Sequence, residues 1–210
     1  MGQSTTYNEI ELKSLIEDIV NGYINFINID SLRDTIFNNI EQNYSKGLDS
    51  SEIKFNMNFV PDYNTVSFIQ KFSFDNVKGL EKDIKDGLRR SLRLGLMNQE
   101  SIPQLKQRIK DVMDISIERA ELIARTESVR AFNMGSFQGA KNSGLSLIKE
   151  WSAADDERTC KVCGYLDGKR VGMNEHFVDS EGDTYFLSPA HPRCRCRVIY
   201  IQEDKSNNNI

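Results

Sequence analysis

The four cysteines of this chain fall into two close pairs toward its carboxyl end. The first pair is Cys160 and Cys163 in the segment RTCKVCG, and the second is Cys194 and Cys196 in the segment AHPRCRC. A C-x-x-C pair can turn two thiolates toward one ion, and four thiolates at about 2.3 Å satisfy tetrahedral Zn²⁺. The spacing therefore predicts a zinc site filled by protein ligands. Such a site has no open position for water, so it would be structural.

Five side chains compete for the four places of this predicted site. His191 stands three residues before Cys194, which repeats the spacing of the first pair. We favour Cys160, Cys163 and Cys194 as ligands, with Cys196 ahead of His191 for the fourth place. The long connection between the pairs is rich in Gly and Pro, so a metal that closes it would contribute directly to folding. Unmetallated buried thiols and a disulfide are the alternatives.

Catalytic zinc and redox sites need residues that this sequence does not place around the cysteines. Zinc deaminases require H-x-E or C-x-E followed by P-C-x-x-C, but Thr159 precedes the first cysteine here. Neither histidine begins H-E-x-x-H, and a thioredoxin-like pair needs a βαβ setting. We therefore expect a protein that is not an enzyme. A metal-dependent nuclease that uses His176 and His191 remains an alternative. A zinc-ribbon protein with a DNA-binding or regulatory role is another.

Composition and charge are those of an ordinary soluble protein. The chain has 210 residues, of which 39% are hydrophobic and 28% charged, with a net charge of −4. The chain as a whole is therefore not expected to bind polyanions. No apolar run approaches the roughly 20 residues that a membrane-spanning helix needs. The first residues lack the features of a secretion signal, so we expect a location in the cytosol of the cell that makes the protein, with no membrane partner.

The chain up to about Asn142 has the residue spacing of helices. We predict helices over Glu9–Asn25, Ser31–Asn43 and Asp75–Met97, the last because Leu or Ile recurs every four residues. Ser101 is expected to cap the following helix, and Ser116 to open a long helix that Gly144 ends. Between residues 50 and 74 the sequence does not decide between helix and strand.

After Gly144, short β-forming runs alternate with Gly, Asp and Pro turns. The pair Asp167-Gly168 predicts a tight hairpin, and CRCRVIYI predicts a last strand that begins at the second cysteine pair. Alternation along that strand would put a small basic patch opposite the cysteines, made of Arg193, Arg195 and Arg197.

The predicted fold class is α+β. A helical N-terminal body and a long central helix pack on a small antiparallel β module. The predicted metal site holds this β module together. We divide the chain into a mostly helical region over 1–74, a second region over 75–201 and a polar tail over 202–210. The second region comprises helices over 75–143 and the zinc-stapled β module over 145–201.

An ordered set of short motifs runs from about Ile102 to Tyr200. It comprises Ala124-Arg125-Thr126-Glu127, Asn133, Trp151, Asp156, Cys160, Cys163, Gly168, His191-Pro192 and Cys194-Arg195-Cys196. This set resembles the Mu F-type phage head morphogenesis domain. The resemblance implies a minor capsid protein made during phage assembly. It also implies binding to the portal, capsid or scaffold proteins in the prohead interior, and contact of some members with double-stranded DNA.

The resemblance also implies a location in the virion, at the head interior or the portal vertex, after assembly in the bacterial cytoplasm. Some members carry a C-terminal toxin or enzymatic extension. This chain ends soon after the CRC segment, so we expect no catalysis from it.

The remaining motif residues can be interpreted as structural residues or as contacts with a partner. Arg125 and Glu127 are expected to join the long helix to the sheet, with Thr126 between them, and contact with a partner or nucleic acid is the alternative. Trp151, the only tryptophan, is expected in the core beneath the cysteines. Asp155 and Asp156 are expected in a polar turn.

A basic stripe follows one face of the predicted helix over Asp75–Met97. Its members are spaced three or four residues apart, which keeps them on one side of a helix: Lys78, Lys82, Lys85, Arg89 and Arg93. Such a stripe could follow phosphates without reading sequence. Acidic residues interrupt it, so we interpret it first as a solvated face. Docking of a partner and contact with DNA are the alternatives.

Overall fold

A computed structural model describes residues 9–27, 29–154 and 156–202. Four helices come first: α1 (Glu9–Ile27), α2 (Ile29–Phe55), α3 (Tyr63–Met97) and α4 (Ile102–Asn142). The β module follows with β1 (Leu147–Ser152), α5 (Lys161–Leu166), β2 (Arg170–Gly172), β3 (Phe177–Val178), β4 (Thr184–Tyr185) and β5 (Arg197–Gln202). The α+β class is therefore confirmed. Most of the predicted tail over 202–210, and Asp155, lie outside the described residues.

The described residues divide into two compact units. One unit holds the described residues up to Thr35 together with Phe74–Glu121, and the other holds Ile36–Ser73 together with the described residues from Leu122 onward. We call them the helical unit and the sheet unit. The division predicted at residue 74 falls inside α3, which begins at Tyr63.

The helical unit is held by one apolar face of α3 and by ion pairs. Buried residues on α3 recur every three or four positions, and they are Val77, Leu80, Ile84, Leu88 and Leu92. Ile16 and Val20 of α1 are buried in the same unit. Arg89 donates to both carboxylate oxygens of Glu17 at 2.8 Å, which ties α3 to α1. The leucine spacing that predicted this helix thus identifies its buried side.

Ser101 and Ser116 were both expected to begin helices, but only Ser101 does so. Ser101 precedes the helix, and its backbone N–H and hydroxyl both donate to Gln104 Oε1, at 2.9 and 2.7 Å. This contact fixes the first turn, as expected of a cap. The prediction that Ser116 opens a helix is wrong. Its hydroxyl donates to the Val112 carbonyl one turn back at 2.7 Å, so α4 passes through it without a break.

In the sheet unit, α2 and α4 cross at almost direct backbone contact. A Cβ added at Gly135 would overlap the Tyr44 carbonyl oxygen, and one added at Gly47 would overlap the Phe132 carbonyl oxygen. Ser136 Oγ donates to the Gly47 carbonyl at 3.0 Å, which links the two helices by a hydrogen bond. Only residues without large side chains allow this approach, so glycine and serine set the distance between these helices.

The β module is a three-stranded antiparallel sheet in the order β2-β1-β5, with a separate β3–β4 hairpin. Along β1 every second residue is buried, which turns Leu147, Lys149 and Trp151 inward. Leu147 and Trp151 form a core with Val198 and Tyr200 of β5 and with Ala140 of α4. The expected packing of the long helix on a small sheet is present.

Two local predictions in this module are wrong. Asp167-Gly168 does not join two strands, because the segment before it forms the short helix α5. Cys160 Sγ accepts the Cys163 N–H at 3.4 Å and caps that helix. Strand β5 begins at Arg197, after both cysteines of the second pair. The three arginines therefore do not share one strand face, and Arg193 has a left-handed backbone with φ of 68°.

None of the helices in the described part of the chain is long and apolar enough to cross a membrane.

Candidate metal centre

Two separate segments bring the cysteines together. Cys160 and Cys163 lie at the start of α5, where the first helical turn points both sulfurs to one side. Cys194 and Cys196 lie in the segment that enters β5, and His191 precedes them there. A backbone hydrogen bond of 3.1 Å from Cys194 N–H to the His191 carbonyl makes this second segment a tight turn. All five residues predicted as ligands therefore meet at one place.

The ligand atoms form two groups of three that share Cys163. In the first group, His191 Nε2 lies 3.1 Å from the sulfurs of Cys160 and Cys163. In the second, Cys163 Sγ lies 3.8 Å from Cys194 Sγ, and Cys196 completes the group, with all ligand atoms within 4.8 Å of one another. Two sulfurs bound at about 2.3 Å to a tetrahedral ion stand about 3.8 Å apart. The arrangement could hold a metal ion.

The orientation of His191 suits a ligand. Its Nδ1 lies 2.8 Å from the Pro192 carbonyl oxygen, which can only accept, so Nδ1 carries the proton. Nε2 then presents its lone pair to the two sulfurs. Metal-binding histidines commonly donate their second ring N–H in this way, because it fixes the tautomer and the ring orientation.

The pKa values of the cysteines in this centre are shifted in different directions. Hydrogen bonding with Cys194 is the largest influence that raises the pKa of Cys163, and the same contact lowers the pKa of Cys194. Burial raises the pKa of Cys160, but the Cys163 N–H and the nearby His191 outweigh it and leave that pKa lowered. Sulfurs that favour the thiolate are those that a cation binds.

The centre is small, and three of its five candidate ligands are buried. Its cavity has a volume of about 20 Å³ and is lined by the five candidate ligands and by arginines at its mouth. Cys163, Cys194 and Cys196 are each at most 3% exposed. Asp156 accepts two hydrogen bonds from Arg195, at 2.5 and 2.6 Å, which hold the pKa of Asp156 well below its usual range. Arg195 also lines the cavity of the centre.

Asn133 connects the long helix to the segment that carries the second cysteine pair. Its Oδ1 accepts the Val198 N–H at 2.9 Å, and its Nδ2 reaches the Cys196 carbonyl at 3.5 Å. Because β5 is an edge strand, its outer backbone groups need partners. Lys54 of α2 donates to the Tyr200 carbonyl further along the same strand. Asn133 and Lys54 therefore cover this edge.

Asn133→Ala is expected to lower the free energy of unfolding by about 2 kcal/mol, because it leaves the buried Val198 N–H without an acceptor. Urea denaturation measures the loss, and hydrogen exchange at Val198 locates it. Asn142→Ala is the control, since that exposed residue at the end of α4 should cost no more than about 0.5 kcal/mol. Equal effects of the two substitutions would remove the assigned role of Asn133.

The Arg125-Thr126-Glu127 motif lies within α4. Arg125 is exposed, and Thr126 donates to the Leu122 carbonyl within α4 at 2.7 Å. Glu127 is 2% exposed and accepts from Ser73 of α3 at 3.2 Å and from Arg130 at 3.1 Å. These contacts join α4 to α3, and Asn133 of the same helix contacts β5. That Arg125 and Glu127 anchor the helix to the sheet stays a prediction.

The basic stripe belongs to the helical unit and is partly paired within it. Lys85 binds Glu81 at 2.6 Å, and Arg89 binds Glu17 and Asp86. The ammonium group of Lys78 lies over the Phe74 ring at 4.3 Å. The two other members, Lys82 and Arg93, are exposed. Local pairing reduces the charge that this stripe offers to a polyanion.

Sequence reasoning missed Lys149, a fully buried lysine in the middle of β1. Its signal was present in LIKEWS, because strict alternation turns Lys149 to the same side as Leu147 and Trp151. Trp151 itself is fully buried and packs edge-on against Phe177 at 5.2 Å between ring centroids. The core of the β module therefore contains a charged side chain, Lys149, among aromatic ones.

Comparison with known proteins assigns the second half of this chain to a protein family. The family model described as Phage Mu protein F like protein matches residues 82–199. The chain is 35% identical over 116 residues to Minor head protein GP7 of Bacillus phage SPP1, covering 51% of this chain and 37% of that relative. It is 30% identical over 115 residues to NAD(+)--arginine ADP-ribosyltransferase EFV of Enterococcus faecalis, covering 51% of this chain and 24% of that relative.

The match therefore spans less than two fifths of the length of either relative. No solved structure gives a significant match.

Proposed function

The chain belongs to the Phage Mu protein F like family, and on this basis we propose that it is a non-enzymatic minor protein of a phage head. In this role it binds the portal, and neighbouring capsid or scaffold proteins, during prohead assembly. It stays in the virion, at the head interior or the portal vertex. The relative named as a minor head protein supports this role for the matched segment.

The convergence of five metal-binding side chains from two distant segments is the observation that carries the proposal. These residues lie within the family match and close the β module. We assign this cluster one structural Zn²⁺, because cysteine and histidine are the side chains that structural zinc sites use. We propose Cys160, Cys163, Cys194 and His191 as its ligands. The sequence had favoured Cys196 over His191, but Nε2 of His191 lies against two sulfurs and its Nδ1 proton is already engaged.

The nuclease alternative has little support from this arrangement. It requires His191 as a free imidazole, yet both ring nitrogens of His191 are engaged, one by the sulfurs and one by the Pro192 carbonyl. The ADP-ribosyltransferase relative matches over only 24% of its own length. The zinc in our proposal therefore stabilises a shape and takes no part in turnover.

Contact with packaged DNA through the basic stripe is a weaker part of the proposal. Three of its five cations already bind groups of the helical unit. A stripe that binds phosphates would make affinity for duplex DNA fall steeply with added salt. We therefore assign the stripe first to the solvated surface.

We assign contact with the portal to exposed apolar residues of the sheet unit, outside the segment that the family model matches. Large apolar side chains are strongly exposed from the end of α2 to the first turns of α3, and they are Ile53, Val60, Tyr63 and Phe68. Exposed apolar surface of this kind commonly marks a contact with another protein. Its position before residue 82 suits a contact particular to this chain.

Replacing Tyr63 and Phe68 together by Asp is expected to reduce co-sedimentation with portal-containing proheads at least about tenfold, because exposed aromatic anchors dominate interface energies. Val178→Asp is the matched control. It changes an apolar residue elsewhere in the sheet unit that is about half exposed, and it should leave binding unchanged. Circular dichroism verifies that all variants fold. Wild-type binding by the double variant would exclude this surface, and failure of the wild-type protein to co-sediment would contradict the proposed function.

A further inference from the structure

Lys149 is a buried cation at the centre of the β module. It lies on β1 between Leu147 and Trp151, faces the core and is 0% exposed. A buried ammonium group is costly unless hydrogen bonds or ring faces replace its water. Residues of this type are rarely fully buried without such partners. The surroundings of Lys149 therefore show what its charge is used for.

The ammonium group of Lys149 contacts both ends of the β3–β4 hairpin. Nζ donates to the Glu175 carbonyl at 2.7 Å, just before β3, and to the Phe186 carbonyl at 3.0 Å, just after β4. It also lies over the Phe186 ring at 3.7 Å, a cation–π distance. Burial lowers the pKa of Lys149 to about 8, with Glu175 opposing that shift. One side chain thus closes the base of the hairpin.

The exit from this hairpin leads directly to the candidate metal centre. Two residues after Phe186, Ser188 donates to the Cys196 carbonyl at 2.6 Å and lies 3.6 Å from Cys194 Sγ. His191 follows three residues later. The position of Phe186 therefore restricts where the segment that carries His191, Cys194 and Cys196 can lie.

We propose that Lys149 is a positioning residue for the cysteine–histidine centre. By fixing the Glu175 and Phe186 carbonyls to β1, it holds the hairpin exit so that Ser188, His191 and Cys194 face Cys160 and Cys163. This inference rests on the proposed metal site. It adds that the affinity of the site depends on a side chain that does not touch the ion.

The test measures zinc affinity by competition with a chelator in three proteins. Lys149→Met keeps the length of the side chain but removes the donor, and we expect affinity to fall about tenfold, the lower end of the loss seen when supporting groups of a metal site are removed. Lys54→Met is the matched control. Lys54 also donates to a backbone carbonyl of the sheet unit, that of Tyr200, but does not touch the hairpin. It should lose stability with its zinc affinity unchanged.

Cobalt substitution provides a readout that a general loss of stability would not change. The visible absorption of bound Co²⁺ reports ligand geometry, so Lys149→Met should shift and broaden the bands while Lys54→Met leaves them in place. Unchanged affinity and unchanged cobalt bands in Lys149→Met would overturn the inference. Equal losses of affinity in the two variants would also overturn it.

A measurement on the wild-type protein covers the case in which Lys149→Met does not fold. If Lys149 holds the hairpin, amides of β3 and β4 should stay protected from hydrogen exchange after a chelator removes the metal. Loss of their protection together with that of α5 would overturn the inference. If the wild-type protein binds no metal, the proposed site fails, while persistent protection of the hairpin would still support its attachment by Lys149.

Discussion

Cys163→Ser should reduce bound zinc from about one ion per chain to none and lower the free energy of unfolding by more than about 5 kcal/mol. Cys163 is the residue that belongs to both groups of ligand atoms, so its loss breaks each of them. The expected cost is large because the ion joins two segments that are far apart in sequence, and closing such a loop contributes directly to folding.

Metal content by mass spectrometry and urea unfolding followed by the fluorescence of Trp151 measure this prediction. Trp151 is the only tryptophan and is buried in the core that contains Cys163. Cys196→Ser is the matched control, because His191 can complete a site that lacks Cys196. It should retain the ion and most of the stability. Wild-type metal content in Cys163→Ser would exclude the proposed ligand set.

Gly135→Ala should destabilise the protein by about 3 kcal/mol, although it adds only one methyl group. The added Cβ would overlap the Tyr44 carbonyl oxygen, so the α2 backbone itself has to move. Overpacking that forces backbone shifts costs about 1–3 kcal/mol and occasionally more. The shift would also disturb the hydrogen bond from Ser136 to Gly47 beside it.

Gly79→Ala is the control for this substitution. Gly79 lies within α3, and a Cβ there would meet nothing within 4 Å. Replacing a glycine by alanine inside a helix in open space should stabilise by up to about 1 kcal/mol. Urea denaturation followed by circular dichroism compares the two variants. A neutral or stabilising Gly135→Ala would mean that the helices do not cross as closely as the structure has them.

Much of the helical architecture could be predicted because its signals are local. Leucine and isoleucine every four residues identified the buried side of α3, and Ser101 with Gln104 marked the start of α4. The start of α3 at Tyr63 was missed, because the preceding Phe- and Asn-rich stretch has no clear period. Ser116 misled because a serine suits both a cap and a helix interior, and only its bond to Val112 decides between them.

The β module was harder to predict because its local structure depends on long-range contacts. Asp167-Gly168 has the residues of a hairpin turn, but the sulfur of Cys160 caps a helix just before it. The cysteine cluster itself was predictable from spacing. The residues that support the cluster were not predictable. Asn133, Ser188 and Lys149 form hydrogen bonds to backbone groups that lie elsewhere in the sequence.

X-ray absorption at the zinc edge of the purified protein, kept reduced, tests the central claim most directly. The proposed site predicts one tetrahedral ion with three sulfur neighbours at about 2.3 Å and one nitrogen neighbour at about 2.0–2.1 Å. Absence of bound metal, or a coordination sphere dominated by oxygen, would contradict a structural zinc centre in this chain.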